Sequence, residues 1–146
     1  MKFEIIQDDT FDNTKVIIKC KTIDNETENL IKFLENKLSN INGKVNDKNF
    51  ILNFDEIFYF DSVDNKTFAY CENEVYDIEE KLYKLESILE NYNYFRCSKS
   101  TIVNLNKIKS FRPMFNSRIE IELNNGEILI VNRKYIKILR EKLGLD

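Results

Sequence analysis

The sequence contains no histidine, and that absence excludes a wide range of chemistry. Without it, neither a Ser-His nor a Cys-His nucleophile pair can be assembled. The imidazole ligands of most zinc sites are missing as well. The three cysteines, Cys20, Cys71 and Cys97, stand far apart and form no CxxC. An odd, scattered set fits a reducing compartment and argues against a disulfide framework. The three are expected to be small buried hydrophobes. Glycine occurs only at Gly43, Gly126 and Gly144, too sparsely for a glycine-rich phosphate loop. The longest apolar runs, such as Ile57 to Phe60 and Ile128 to Val131, span about four residues. Crossing a bilayer takes roughly 20. The start, MKFEIIQDD, lacks the form of a signal peptide. Carboxylate pairs such as Asp55-Glu56 and Glu79-Glu80 fall in expected turns or helix starts, not in an acid/base arrangement. The expectation is a cytoplasmic, soluble protein that is not an enzyme, with no cofactor, no metal and no small-molecule substrate.

What is present suits one domain with an extension. The chain has 146 residues, 42% of them hydrophobic and 12% aromatic, enough for a real core. Its charge is unevenly spread. Residues 1–90 carry 11 Lys/Arg against 20 Asp/Glu, whereas residues 91–146 carry 11 against 5. A net of −3 therefore hides a basic C-terminal third. Such asymmetry fits an anionic partner for that third, or a surface that merely balances the acidic part.

Along the chain, Phe3–Ile6 and Val16–Cys20 read as strands. Asn25 with Glu28 forms a capping box for a helix carrying Leu30, Ile31, Leu34, Leu38 and Ile41, which Gly43 closes. Residues 49–77 read as a strand meander with turns at Asp64-Asn65 and Glu72-Asn73. Its aromatics (Phe54, Phe58, Tyr59, Phe60, Phe68, Tyr70, Tyr76) could stack bases. Core packing is favoured, because the surrounding carboxylates would repel phosphate. A helix over 78–91 follows, capped by Asp77 and Glu80, with Leu82, Leu85, Ile88 and Leu89 inward. Ser110–Met114 is extended, and Arg118–Leu123 alternates like a half-buried strand. Asn125-Gly126 predicts a two-residue type I′ hairpin, and Asn132 can cap a last helix over 133–143.

The basic third is patterned for an anion. A two-residue turn pairs Leu123 with Ile128 and Ile121 with Ile130, and at the far end sets Arg118 opposite Arg133. Like charges so placed are destabilising unless an anion lies between them. Arg133, Lys134 and Lys137 sit in the first two turns of the last helix, against its dipole. Beside free N–H groups they form a phosphate clamp, and an Arg can instead reach a guanine edge. Solvated cations are the alternative. Arg96, Lys99, Lys107, Lys109 and Arg112 also lie near strand ends or loops, with Ser98, Ser100, Thr101 and Asn104 among them. Hydroxyls and amides of this kind are common phosphate and base-edge ligands. No helix-turn-helix, zinc finger or basic zipper is present, so loops would do the reading.

Three separated motifs carry a resemblance. The run FRCSKSTIVNLNKI (95–108) resembles the signature of the LytTR DNA-binding domain of bacterial transcription regulators, roughly Phe-x-Arg-x-His-Arg/Lys-Ser, then Val-Asn, then Ile. ELNNGEILIVNRKY (122–135) resembles its closing strand pair and basic helix start, and DEIFYF (55–60) its opening strand. The match covers residues 49–143 in order. The resemblance implies a fold that is mainly β with flanking helices (α+β), built of stacked small antiparallel sheets. Here an N-terminal strand-strand-helix extension, 1–48, precedes a DNA-binding domain, 49–146. It implies loops entering successive major grooves at promoter direct repeats of double-stranded DNA. Lys99 and Ser98 would sit in one reading loop and Arg133 in the other. Arg96 and Lys134 would hold phosphates, and Ser100 and Asn104 would brace. Arg112, Arg118 and Lys137 complete the expected DNA-binding set. Ser98 stands where most members carry a base-contacting His, and Asn132 where Ser is common. Residues 1–48 are too short for a receiver domain, so a stand-alone regulator is expected. The extension would dock on the same segment of a second chain, giving a homodimer, or on its own domain as an intramolecular buttress, and a small membrane protein would restrain the regulator. The alternative is a protein-interaction module or anti-regulator that keeps the fold without reading DNA.

Overall fold

The computed structural model describes residues 1–12, 14–90 and 92–144, with residues 36–38 as backbone only. The chain divides into two compact units, residues 1–33 and 34–146.

In the first unit, the described residues among 1–24 form no strand. The segments Phe3–Ile6 and Val16–Cys20, expected to be strands, have no regular secondary structure, and this part of the expected extension is corrected. Phe3 is 90% exposed and Ile5 79%. β-Branched residues favour strands only when a paired, half-buried face receives them, and a lone ribbon provides none. The expected helix is present as α1 (Asn25–Leu38). Its cap is Asp24, not Asn25: the Asp24 carboxylate accepts the Thr27 N–H at 2.8 Å. That bond holds the Asp24 carboxyl below its usual value. The Leu38 side chain, expected on the apolar face of α1, lies outside the described residues. Cys20, expected to be buried, is exposed.

The second unit holds two antiparallel sheets. The seven-stranded sheet runs in the order β2 (Lys48–Asn53), β1 (Asn40–Val45), β5 (Val75–Ile78), β4 (Lys66–Tyr70), β3 (Tyr59–Val63), β7 (Thr101–Asn104), β6 (Tyr94–Arg96). Ile41 and Gly43 therefore belong to a strand, not to the end of α1. Gly43 is required there, because a Cβ would lie 2.8 Å from Tyr76 Cβ and 2.6 Å from Leu52 Cδ1. The β1–β2 and β3–β4 hairpins turn at Asn46-Asp47 and Asp64-Asn65, all four residues at positive φ. That is the type I′ geometry for which Asn and Asp are suited. The meander of strands thus forms as the sequence indicates.

Alternation along β3, β6 and β7 serves both faces of this sheet. Phe60, Ile102 and Tyr94 join Leu82, Leu85 and Leu89 in one core, under α2 (Leu82–Ile88). Helix α2 is shorter than expected, and its N-cap is Lys81 without a side-chain cap bond. Asp77, expected to cap it, pairs within β5. The expected end at residue 91 lies outside the described residues. Tyr59, Val103 and Phe95 join the second core, shared with the three-stranded sheet and with Leu139 of α3 (Arg133–Lys142). That sheet runs β10 (Ile128–Val131), β9 (Ile119–Leu123), β8 (Ile108–Pro113). Phe54, Phe58, Tyr59 and Phe60 are all buried, so these aromatics pack the core. The result is a mainly β fold with three helices, as the sequence indicates.

The β9–β10 hairpin differs from expectation. Ile121 pairs with Leu129 and Ile119 with Val131, one residue out of the two-residue register. The loop holds three residues, with the Gly126 N–H donating to the Leu123 carbonyl at 2.9 Å and Gly126 alone at positive φ, 89°. This is a type I turn followed by a left-handed glycine. Continued by one residue, the register sets Arg118 beside Asn132. The expected Arg118–Arg133 opposition does not occur. The observed register keeps Val131 fully buried and delivers Asn132 to a specific bond described below.

Candidate nucleic-acid interface

Strands β6 and β7 are paired through Arg96 and Ile102, so Ser98, Lys99 and Ser100 form a tight loop between them. Several bonds hold this loop. The Cys97 N–H donates to the Thr101 carbonyl at 3.0 Å, and the Ser62 N–H to the Ser100 carbonyl at 2.8 Å. Thr101 Oγ1 donates to Asp61 at 2.9 Å. Arg96 braces the loop from one side. Its Nε donates to the Ser98 carbonyl at 3.2 Å, its Nη2 to the Lys99 carbonyl, and its Nη1 pairs with Glu86 of α2 at 2.8 Å. The guanidinium expected to hold phosphate thus has three of its five N–H donors engaged inside the protein.

The second basic segment begins α3. Asn132 is the N-cap in extended conformation, and its side chain makes no cap bond. The Tyr135 N–H donates to the Asn132 carbonyl at 2.9 Å, while the Asn132 side chain leaves the Arg133 and Lys134 N–H groups uncapped. The Asn132 N–H donates to the Cys97 carbonyl at 2.9 Å. This bond ties the start of α3 to the Ser98–Ser100 loop. Beneath the junction Cys97 is 1% exposed, and burial pushes its thiol up to about 12.

A third segment reaches the same end. Pro113, Ile119 and Val131 lie in line across the three-stranded sheet. Beyond that line lie the β8–β9 tip, residues 114–118, and Asn132 with Arg133. Lys99, Arg118, Arg133, Lys134 and Lys137 are exposed, and none has an ion pair among the described residues. Lys134 lies 5.5 Å over the Tyr135 ring, and Lys137 is one turn further along α3. Arg112 stands apart. It faces Glu120 across the outer side of the sheet, with Nε 2.6 Å from Oε2, and that contact raises its pKa. Asn104, 1% exposed, braces a different place: its Nδ2 donates to the Ile57 carbonyl at 2.9 Å. The loop's other supports, Glu86, Asp61 and Ser62, carried no signal in the sequence. The apolar Met114-Phe115 pair, set beside polar Asn116-Ser117, is legible in the sequence.

Among the described residues, no three His, Cys, Asp or Glu side chains converge to hold a metal, and no helix is long and apolar enough to cross a membrane.

Comparison with known proteins agrees with this geometry. Residues 47–144 match the family described as the LytTr DNA-binding domain. The chain is 32% identical over 92 residues to the sensory transduction protein LytT of Enterococcus faecalis, covering 62% of this chain and 38% of that protein. It is 27% identical over 125 residues to the transcriptional regulatory protein YpdB of Escherichia coli, covering 85% of this chain and 46% of that one. The chain thus spans less than half the length of these relatives. The LytTr DNA-binding domain of a putative methyl-accepting/DNA response regulator from Bacillus cereus superposes with a TM-score of 0.69 at 29% identity. That match covers 73% of this chain and 98% of the solved domain. With a family match over most of its length and a basic, loop-built end of the kind described, the chain belongs to the LytTR DNA-binding domain family.

Proposed function

We propose that the protein is a non-enzymatic transcriptional regulator that binds double-stranded DNA at promoter direct repeats. The Ser98–Ser100 loop and the Asn132–Lys134 segment enter successive major grooves. Ser98, Lys99 and Arg133 read base edges, and Lys134, Lys137 and Arg118 meet phosphates. Arg96 serves by holding the loop carbonyls. Arg112 contributes to the basic surface while paired with Glu120. The observation that carries this reading is the bond from Asn132 to Cys97, which fuses two basic segments with unpaired cations into one surface.

Further parts of this reading concern the N-terminal extension and the setting. The extension, drawn at 1–48 from the sequence, joins two copies, and its exposed Phe3, Ile5, Ile6 and Ile17 supply the apolar surface. β1 within it is already a strand of the seven-stranded sheet, so the joining role falls to the residues before β1. Paired heads gain on paired repeats through effective concentration. The protein works in the bacterial cytoplasm, restrained by a small membrane protein.

Selecting bound sequences from random duplex DNA tests the central claim. An enriched repeat, bound more tightly than a scrambled duplex, is expected. Equal, weak binding to both would favour a protein-interaction module. Sedimentation of the full chain at micromolar concentration tests the pairing, which a monomer would overturn.

A further inference from the structure

Phe115 is 93% exposed, more than any other large apolar side chain among the described residues of the second unit. It stands at the β8–β9 tip, which the Met114 N–H closes by donating to the Arg118 carbonyl at 2.9 Å. The next two residues, Asn116 and Ser117, are both left-handed, at φ 70° and 56°. Left-handed backbone is uncommon for Ser and unfavourable without a compensating context. The turn therefore holds Phe115 away from its own sheet instead of folding it back. Met114, 41% exposed, continues the apolar surface.

Position gives this tip a partner. It leaves the sheet at the Pro113–Ile119–Val131 line, the end from which Arg133 emerges and at which Asn132 bonds Cys97. Arg118, at the base of the tip, has no ion pair among the described residues. An exposed aromatic ring in the same turn as exposed Arg118, at the sheet end that carries Asn132 and Arg133, matches the apolar contacts that proteins make with duplex DNA. Such rings press on thymine methyl groups in the major groove, or wedge against base steps from the minor groove.

We propose that the β8–β9 tip is a third DNA-contacting element and that Phe115 makes a direct apolar contact with the duplex. This rests on the DNA-binding reading above. The contact is distinct from those of the basic loops because it releases no counterions. It adds affinity without adding to the salt dependence.

The test uses the full chain and the duplex selected by the unaltered protein, with binding measured across a salt series. Phe115→Ala should weaken binding by about tenfold, the scale of one lost aromatic–base contact, with the slope of log affinity against log salt unchanged. Phe115→Trp should retain binding. Arg118→Ala should instead make that slope shallower by about one. Thermal unfolding of the Phe115→Ala protein should match the parent, since the ring is exposed. Repeating the titration with deoxyuridine in place of thymidine identifies the contact. A penalty that disappears points to a methyl group, and one that persists points to a base step or sugar. Equal affinity of Phe115→Ala and parent would overturn the proposal while leaving the regulator reading intact. A smaller sedimenting mass for Phe115→Ala would overturn it in favour of self-association. No duplex binding by the parent would overturn both.

Discussion

The backbone N–H of Asn132 donates to the carbonyl of Cys97 at 2.9 Å, and this single bond joins two basic segments separated by more than thirty residues of sequence. It sits where β10 hands over to α3 and where β6 turns toward β7. The Ser98–Ser100 loop and Arg133 therefore share one rigid support. A rigid support matters because base readout depends on placing donors at fixed offsets along a groove.

Lys99→Ala and Arg133→Ala are expected to lower specific binding more than non-specific binding, by roughly 1–3 kcal/mol of lost discrimination each. Lys134→Ala is expected to weaken all duplexes alike. Parallel titrations against the selected and a scrambled duplex separate the two behaviours. An unchanged specific-to-non-specific ratio for Arg133→Ala would remove it from the base-reading set.

Affinity should fall steeply with salt. If Lys134, Lys137 and Arg118 each meet one phosphate, the slope of log affinity against log salt would be about −2.7 per chain. Titrations from about 50 to 200 mM salt measure it. A slope near zero is incompatible with the proposed interface.

Cys97 should be chemically silent in the folded protein. Burial lifts its thiol to about 12 and that of Cys71 to about 11, from an ordinary 9.0. At pH 8 a thiol at 12 is ionised in about one molecule in ten thousand. A thiol reagent should modify exposed Cys20 first and Cys97 only on unfolding. Because both folded values are raised, the folded state keeps its protons longer. Stability is then full below about pH 9 and declines between about pH 9 and 12. Rapid labelling of Cys97 in the native protein would show that the junction opens.

Gly43→Ala should destabilise by about 1–3 kcal/mol, the usual cost of overpacking a close contact. The obstruction is Tyr76 Cβ, which cannot swing away as a side-chain tip can. Denaturant unfolding measures the shift, and a stability equal to the parent would mean that β1 and β5 can part without cost.

Asn104→Ala should cost about 1–3 kcal/mol by removing a buried donor from the Ile57 carbonyl. The same substitution should leave the specific-to-non-specific ratio unchanged, since Asn104 braces the Phe54–Glu56 turn and not the reading loop. A selective loss of specific binding would instead link that turn to the interface.

The sequence by itself determined the class of structure and the location of its basic surface. Alternation in Ile119–Leu123 and the turn residues Asp64-Asn65 state their structure locally, because pleat and turn geometry depend on neighbours only a few residues away. The absence of histidine and the charge imbalance are properties of composition and need no fold. Tertiary structure decided whatever depends on partners distant in the chain. Phe3–Ile6 has strand-forming residues but finds no strand to pair with. Asn125-Gly126 suits a two-residue turn, yet burial of Val131 and the Asn132–Cys97 bond select a register one residue away. That slip parts Arg118 from Arg133. Arg96 looks like a free cation in the sequence, and only the packing of α2 brings Glu86 to it and turns it into a brace. Side-chain chemistry is written locally, but which groups remain unpaired at the surface is settled by contacts that only the folded chain creates.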